Sequence, residues 1–411
     1  MIEKTGLPLD FARKLARRQA WLLVCSSAAS AWSFGFLSVV LPIYLKRSGY
    51  DPLTIGAFYT FSGLLCAVLL LFLGPLLDRR RKKALLVLGT ALPVLSFLLL
   101  SLSVEGWAVT CAFLLGGIGI IGGLGGALSG ATFYPLLLEK TGMAESTQFF
   151  SWNTFGWLMV AMLGSLCGGL PEWLAGWGWD PSLASRLSFG LCALFAALAA
   201  CLILPLREGH TLTPGRVNLF EMFHAARGLI GRFALTQVFI GLGAGFVVQL
   251  LSLWFFLKFG VSEVQISPWF AAANLAGMVA VGLVPLLALR RSKTSMVIFT
   301  QGLSAMMVLL MTFASTYQWA SLLYLLRSAL MNMSWPLQNA FLFSLVPPER
   351  RSSAISLANA AFGLCSSLAP LLGGAMMRSG WLDLPLYLGA LSFFLASATF
   401  FLFFHRRTPL S

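Results

Sequence analysis

Apolar residues run along this chain in blocks of roughly 20, the length a helix needs to cross about 30 Å of hydrocarbon. The pattern predicts twelve spans, at about 20 to 45, 53 to 77, 84 to 103, 107 to 131, 147 to 170, 183 to 206, 232 to 257, 264 to 289, 294 to 315, 318 to 346, 352 to 377 and 384 to 404. The longest polar interruption, residues 207 to 231, divides them into a half at 1–206 and a half at 232–411. Within it Phe220, Met222, Phe223 and Leu229 predict a short amphipathic helix lying on the membrane surface.

Composition turns the pattern into a class. Hydrophobic residues make up 58% of the 411 and charged residues 10%, too few to cover a water-soluble exterior. The chain is therefore predicted to be an all-α integral membrane protein. Its net charge of +14 would also suit nucleic acid, but the bases sort by loop. Twenty-two fall on one side: Lys4, Arg13, Lys14, Arg17, Arg18, residues 79 to 83, Lys140, Arg207, Arg216, Arg227, Arg232, Arg290, Arg291, Lys293, Arg350, Arg351, Arg406 and Arg407. Lys46, Arg47, Arg186, Lys258 and Arg378 fall on the other, and Arg327 lies inside a span. Basic loops stay cytoplasmic, so both termini are expected inside, in the inner or plasma membrane, and no nucleic-acid partner is implied.

All seven cysteines fall within spans and no pair is spaced as CxxC, so they read as small apolar residues. Neither a disulfide framework nor a metal or cofactor is expected. The first span has cationic flanks but continues for about 25 apolar residues, which reads as a retained span rather than a removed signal peptide.

The halves repeat one another. Pro75, Leu76, Leu77, Arg80, Arg81 and Lys83 align with Pro285, Leu286, Leu287, Arg290, Arg291 and Lys293 at an offset of 210. Gly164 to Gly169 (GSLCGG) aligns with Ala369 to Gly374 (APLLGG) at 205, and Asn153 with Asn359 at 206. Offsets near half the chain length indicate a duplicated six-helix unit.

Arg327 is the one charge well inside a span, about nine residues from its end and so roughly 13 Å deep. A guanidinium at that depth needs a wet cavity or a partner. Helical spacing places Met331, Trp335 and Gln338 or Asn339 on its face, with Pro336 able to kink the helix. Spans carry no central Asp or Glu, and His210, His224 and His405 lie in the linker and tail, so proton coupling through an embedded group is not expected. Eight glycines between Gly116 and Gly130 in the fourth span permit close packing and bending.

Between the second and third spans stands GPLLDRRRKK, Gly74 to Lys83. Twelve spans in two parallel halves with this run resemble the major facilitator superfamily of secondary transporters, along the whole chain. The resemblance implies two pseudo-symmetric six-helix bundles with a substrate site between them near the bilayer midplane. It gives Gly74, Asp78 and Arg79 the role of a cytoplasmic latch against the start of the eleventh helix, although Arg81 replaces a usual glycine and Ala288 replaces the second-half aspartate. Residues 164 to 169 resemble an exporter signature of the fifth helix, with Ser165 in place of proline. In this family the first, fourth, seventh and tenth helices line the pathway, which adds Trp32, Phe36, Gln237 and Gln249 to the candidates. Trp152, Asn153, Asn274 and Asn359 join them as polar residues of the inner half.

The reading is a monomeric secondary transporter moving a small amphiphilic solute outward by alternating access. Arg327 would hold an anionic or polar group and Trp32, Phe36 and Trp335 the apolar part. Uptake or facilitated diffusion of a sugar or organic acid is the alternative. A membrane enzyme lacks a grouped nucleophile and base, and a sensor lacks an output domain.

Overall fold

The computed structural model describes residues 9–76, 82–119, 122–206, 228–288, 292–345 and 351–405. These form fourteen α-helices and no strand. The first seven are α1 (Leu9–Arg47), α2 (Pro52–Leu76), α3 (Lys82–Leu102), α4 (Gly106–Leu115), α5 (Gly123–Leu166), α6 (Leu170–Gly176) and α7 (Pro181–Ile203), packed as one bundle. The second bundle holds α8 (Leu229–Val247), α9 (Leu251–Phe259), α10 (Glu263–Ala288), α11 (Lys293–Thr312), α12 (Tyr317–Leu345), α13 (Arg351–Arg378) and α14 (Leu384–Phe404). The expected linker helix and the latch residues Asp78 and Arg79 lie outside the described residues; Gly74 belongs to α2.

Successive spans run in opposite directions, giving the molecule two faces. Turns at 48–51, 103–105, 177–180, 260–262, 313–316 and 379–383 share the face that carries Arg47. The face with the N-terminus of α3 is opposite, where Lys82 is buried with its Nζ 4.0 Å from Glu139 of α5.

Ten stretches among the described residues are long and apolar enough to cross a membrane. The predicted tenth span, present as α12, falls short because Arg327, Asn332, Ser334 and Gln338 dilute it. The predicted fourth span needs correction, since it is two helices separated by a non-helical segment. Gly116, Gly117 and Gly119 there adopt φ of 115°, 84° and 82°, a region nearly closed to residues with a Cβ, so the run of glycines breaks the helix outright. Beyond the break, α5 is itself two helices joined at Gly142, whose φ of 66° is non-helical, and it contains both the end of the fourth span and the fifth. The predicted seventh span is likewise divided, at 248–250, into α8 and α9. No glycine or proline stands at 248–250 to announce that break.

Lipid offers no hydrophobic drive for one apolar helix to leave it for another, so close backbone contact at small residues carries the packing. In the first bundle α1 and α5 meet in this way. A Cβ on Gly35 would overlap the Ala161 carbonyl oxygen, and one on Gly164 the Trp32 carbonyl oxygen. Gly164→Leu is expected to force these backbones apart, at a cost of about 1–3 kcal/mol for overpacking alone. The check is a lower melting temperature and a loss of the monodisperse peak in detergent.

Candidate functional site

The bundles meet along two related seams, α5 against α10 and α2 against α13. In the first, Gly168 and Gly169 receive Ser267 and Val264, a Cβ on Gly168 lying 2.6 Å from Ser267 Oγ. In the second, a Cβ on Gly56 would overlap the Pro370 carbonyl oxygen and one on Gly374 the Pro52 carbonyl oxygen. Gly168 and Gly169 of the GSLCGG segment and Gly374 of the repeated APLLGG segment are therefore among the surfaces on which the bundles touch, while Gly164 packs within the first bundle. Ser165, where the resemblance leads one to expect proline, donates to Gly35 O at 3.1 Å and accepts from Asn274 Nδ2 at 3.1 Å. It thus ties α1, α5 and α10 together, and Asn274 belongs to this seam.

Ion pairs join the bundles where the seams reach the Arg47 face. Arg47 Nη2 donates to Glu172 Oε1 at 2.9 Å and lies 2.9 Å from Glu263 Oε2, while Arg378 Nη1 lies 3.1 Å from Asp51 Oδ2. Asp51 also accepts from Thr54 N at 3.0 Å, and hydrogen bonding from the Thr54 side chain, with the backbone N–H and Arg378 adding to it, holds its carboxyl below the ordinary carboxylate range. The Arg47 face is closed.

Toward the opposite face a small cavity of about 10 Å³ lies among α8, α12 and α13. Its walls are Phe233, Gln237, Trp335, Gln338, Leu342, Ala358 and Asn359, so four of the sequence candidates come together in it. Gln237 Nε2 donates to Gln338 Oε1 at 2.8 Å, and Gln338 Nε2 donates to Ser334 Oγ at 2.8 Å. This chain fixes both amides, since a buried amide without a partner would cost about 1–3 kcal/mol. Trp335 is 39% exposed and packs edge-on against Phe362, 5.5 Å between centroids, and the Asn359 side chain is exposed. A cavity of this size holds about one water, so a solute with an apolar body and a polar end would enter it only as Trp335 and the amides move apart.

A second small cavity, of about 20 Å³, lies between the bundles and is lined by Phe34, Leu37, Ser38, Tyr59, Gly119, Val248 and Gln249. Both interrupted spans meet here: Gly119 belongs to the break before α5, and Val248 and Gln249 to the break between α8 and α9. A Cβ on Gly119 would come within 3.1 Å of both Gln249 Oε1 and Tyr59 Cδ1. Gln237 and Gln249 are twelve residues apart, so about 18 Å separates the two cavities along the helix axis. Secondary transporters commonly place their solute sites at interrupted helices near the midplane.

Other candidates stand elsewhere. Trp32 and Phe36 are buried in the first bundle, stacked on each other at 5.4 Å, with Trp32 also on Phe195 at 4.4 Å. Their neighbours Phe34, Leu37 and Ser38 face the cavity instead, because successive residues on a helix turn through about 100°. Arg327 is 5% exposed and lines neither cavity; its guanidinium lies 5.2 Å from the Phe393 ring of α14, inside the second bundle. Among the described residues no carboxylate pairs with it, and its Nε is enclosed without an acceptor. Met331, one turn on, is packed against the core. Asn153 is buried with Oδ1 unpartnered, Trp152 is exposed beside Trp21, and the Asn339 side chain lies outside what is described. No group of three His, Cys, Asp or Glu among the described residues is placed to hold a metal ion.

The sequence profile of the Major Facilitator Superfamily matches residues 23–370 and, separately, 233–411. The chain belongs to this superfamily. Its second match begins within the first two turns of α8, where the second bundle begins. As a member it is a secondary transporter embedded in a membrane. Solved structures with the same fold include a D-xylose–proton symporter, 16% identical over 96% of this chain and 98% of that one, TM-score 0.69. A nucleoside transporter is 15% identical over 96% and 100%, TM-score 0.69. The human organic anion transporter MFSD10 is 16% identical over 94% and 99%, TM-score 0.61. No curated protein sequence matches the chain.

Proposed function

We propose that this member of the superfamily moves a small amphiphilic solute by alternating access and works as a monomer. The observation that carries the reading is the cavity of Gln237, Gln338, Asn359 and Trp335, an aromatic wall set against fixed amides with no charged side chain in its lining. Such a lining suits a neutral polar group on an apolar body better than a bare anion, whose dehydration no cation in that lining would offset. Arg327 does not line this site and lies against Phe393 instead. Placing the basic loops in the cytoplasm makes the sealed Arg47 face the outer one, so the form described is open inward, ready to load solute from the cytoplasm. Exporters and uptake carriers both pass through such a form, so the preference for outward transport rests on the likeness of the Gly164 to Gly169 segment to the exporter signature.

Amides beside an indole also suit the hydroxyls and the flat apolar face of a sugar, which keeps uptake as a second reading. Everted vesicles separate the two, because they accumulate the substrate of an exporter and not that of an uptake carrier. The site itself is tested by a thermal-shift screen of sugars, nucleosides, organic acids and amphiphilic cations on the purified protein. Stabilising compounds are expected to lose at least about tenfold in affinity in Trp335→Ala, roughly the 1.4 kcal/mol of one lost aromatic contact. Equal stabilisation of both proteins removes the cavity from the pathway.

A further inference from the structure

The two ion-pair clusters that close the Arg47 face differ in charge. Asp51 and Arg378 form a one-to-one pair, half open to water. The other cluster sets two carboxylates around one guanidinium. Arg47 ends α1, Glu172 lies on α6, and Glu263 is the first residue of α10, so the cluster spans both bundles. Glu172 Oε2 also accepts from Val264 N at 3.4 Å, and the Arg47 guanidinium sits 5.6 Å from the Phe256 ring.

Within this cluster Glu263 is 2% exposed. Its Oε2 has Arg47 Nη2 at 2.9 Å, yet no N–H points at it; that nitrogen gives its hydrogen bond to Glu172 instead. Glu263 Oε2 is therefore an enclosed carboxyl oxygen with no donor. If both acids were ionised, the cluster would carry one negative charge in excess; Arg47 and Glu172 keep part of their surface in water, whereas Glu263 does not, so its ionised form is the disfavoured one. A proton on Glu263 removes the excess charge, and its O–H can donate to the neighbouring Glu172 carboxylate.

The surrounding groups offer no second base. Lys46 makes no ion pair among the described residues, and Lys258 of α9 is held by Asp383 Oδ1 at 2.8 Å and Thr312 O at 2.7 Å. On the remaining elements packed against α10, Cys167 follows α5, Tyr317 begins α12, Tyr324 of α12 lies against Phe270 two turns deeper, and Arg327 follows one turn beyond Tyr324.

We propose that Glu172 and Glu263 together bind one proton while the Arg47 face is sealed and release it when the bundles part there. The inference rests on the alternating-access reading above. It adds a second ligand, the proton, at a site separate from the solute cavities and at the ends of spans rather than their middle. The direction follows from the charge count. A proton bound more tightly in the sealed form than in the parted one stabilises the seal fully at low pH, and that stabilisation is lost as pH rises through the range of the pair. The reverse dependence would follow if both acids were ionised partners of Arg47.

Spin labels at Ser48→Cys and Ser379→Cys, exposed positions on opposite bundles, report the width of the seam in a cysteine-free background reconstituted in lipid, with no solute present. Between about pH 5 and about pH 9 the ratio of close to separated label pairs is expected to fall by at least about tenfold. Glu263→Gln, which keeps the shape without the titrating group, is expected to stay in the close population throughout. Asp51→Asn widens the seam at every pH while leaving the pH response in place. A ratio that is flat, or that rises with pH, overturns the proposal, as does a Glu263→Gln protein that responds like its parent. None of these readings depends on transport, so a missing solute and a missing proton site give different results.

Discussion

Gly374→Leu, alone or with Gly56→Leu, is expected to reduce transport to background while leaving each bundle folded. Both glycines touch the backbone of the other bundle directly, Gly374 at Pro52 and Gly56 at Pro370, so a side chain at either has no space unless α2 and α13 separate. Overpacking of a fitted contact costs about 1–3 kcal/mol. A penalty of that size confined to one conformation shifts a two-state equilibrium by about 5- to 150-fold. The penalty here falls only on the form sealed at the Arg47 face, so the variants should accumulate open at that end. Two measurements check this. Thiol reagents should label Ser38→Cys, which lines the cavity between the bundles, faster in the variants from the Arg47 face. The melting temperature should drop much less than in Gly164→Leu, whose contact lies within one bundle. A sealed, slowly labelled Gly374→Leu protein would show that the seam does not open during the cycle.

Gly119→Val should have the second largest effect, for a different reason. Gly119 has a φ of 82°, where a β-branched residue is strained by about 1–3 kcal/mol. Its Cβ would also crowd Gln249 and Tyr59, each at 3.1 Å, and the valine methyls would enter the cavity that those residues line. Transport is expected to fall by at least about tenfold, with Gly119→Ala intermediate. Gly126→Val provides the comparison, since Gly126 is helical and a Cβ there meets only Cys66 Sγ at 3.7 Å. If Gly119→Val transports as well as Gly126→Val, the meeting point of the broken helices is not part of the pathway.

What the sequence revealed, and what it concealed, follows from where the polarity lies. Long apolar blocks separated by charged turns made the spans legible, because the thickness of hydrocarbon leaves little freedom in their length. Helical spacing on polar faces was also readable. Trp335 and Gln338 were placed on one face of the tenth span, and they share a cavity with Gln237 and Asn359. The first span gave no such guide. With apolar residues all round, nothing distinguishes the side carrying Trp32 and Phe36 from the one carrying Phe34 and Leu37, and only packing against Phe195 decides it. Arg327 was legible as a deep charge, but depth does not fix direction, and the face of the Phe393 ring accommodates the guanidinium within the bundle. Glu172 and Glu263 escaped notice because they stand at helix ends, where a carboxylate looks like an ordinary loop charge until the opposite bundle covers it. The break at 248–250 had no local signal at all, while the one at 116–122 was visible as a cluster of glycines whose left-handed geometry spacing alone could not show.

The shortness of α4 bears on how the protein is made. Its ten residues, Gly106–Leu115, rise about 15 Å before the glycines interrupt it, half the depth of the hydrocarbon. A segment of that length gains too little from lipid to leave the insertion machinery alone, and the exposed backbone of the break needs a partner at the moment it enters. The partner is α3, whose Pro93 lies against Gly117 and Gly125. Biogenesis therefore favours the third and fourth spans entering the bilayer as a hairpin, and a substitution at Pro93 should appear first as a defect in membrane integration of the nascent chain.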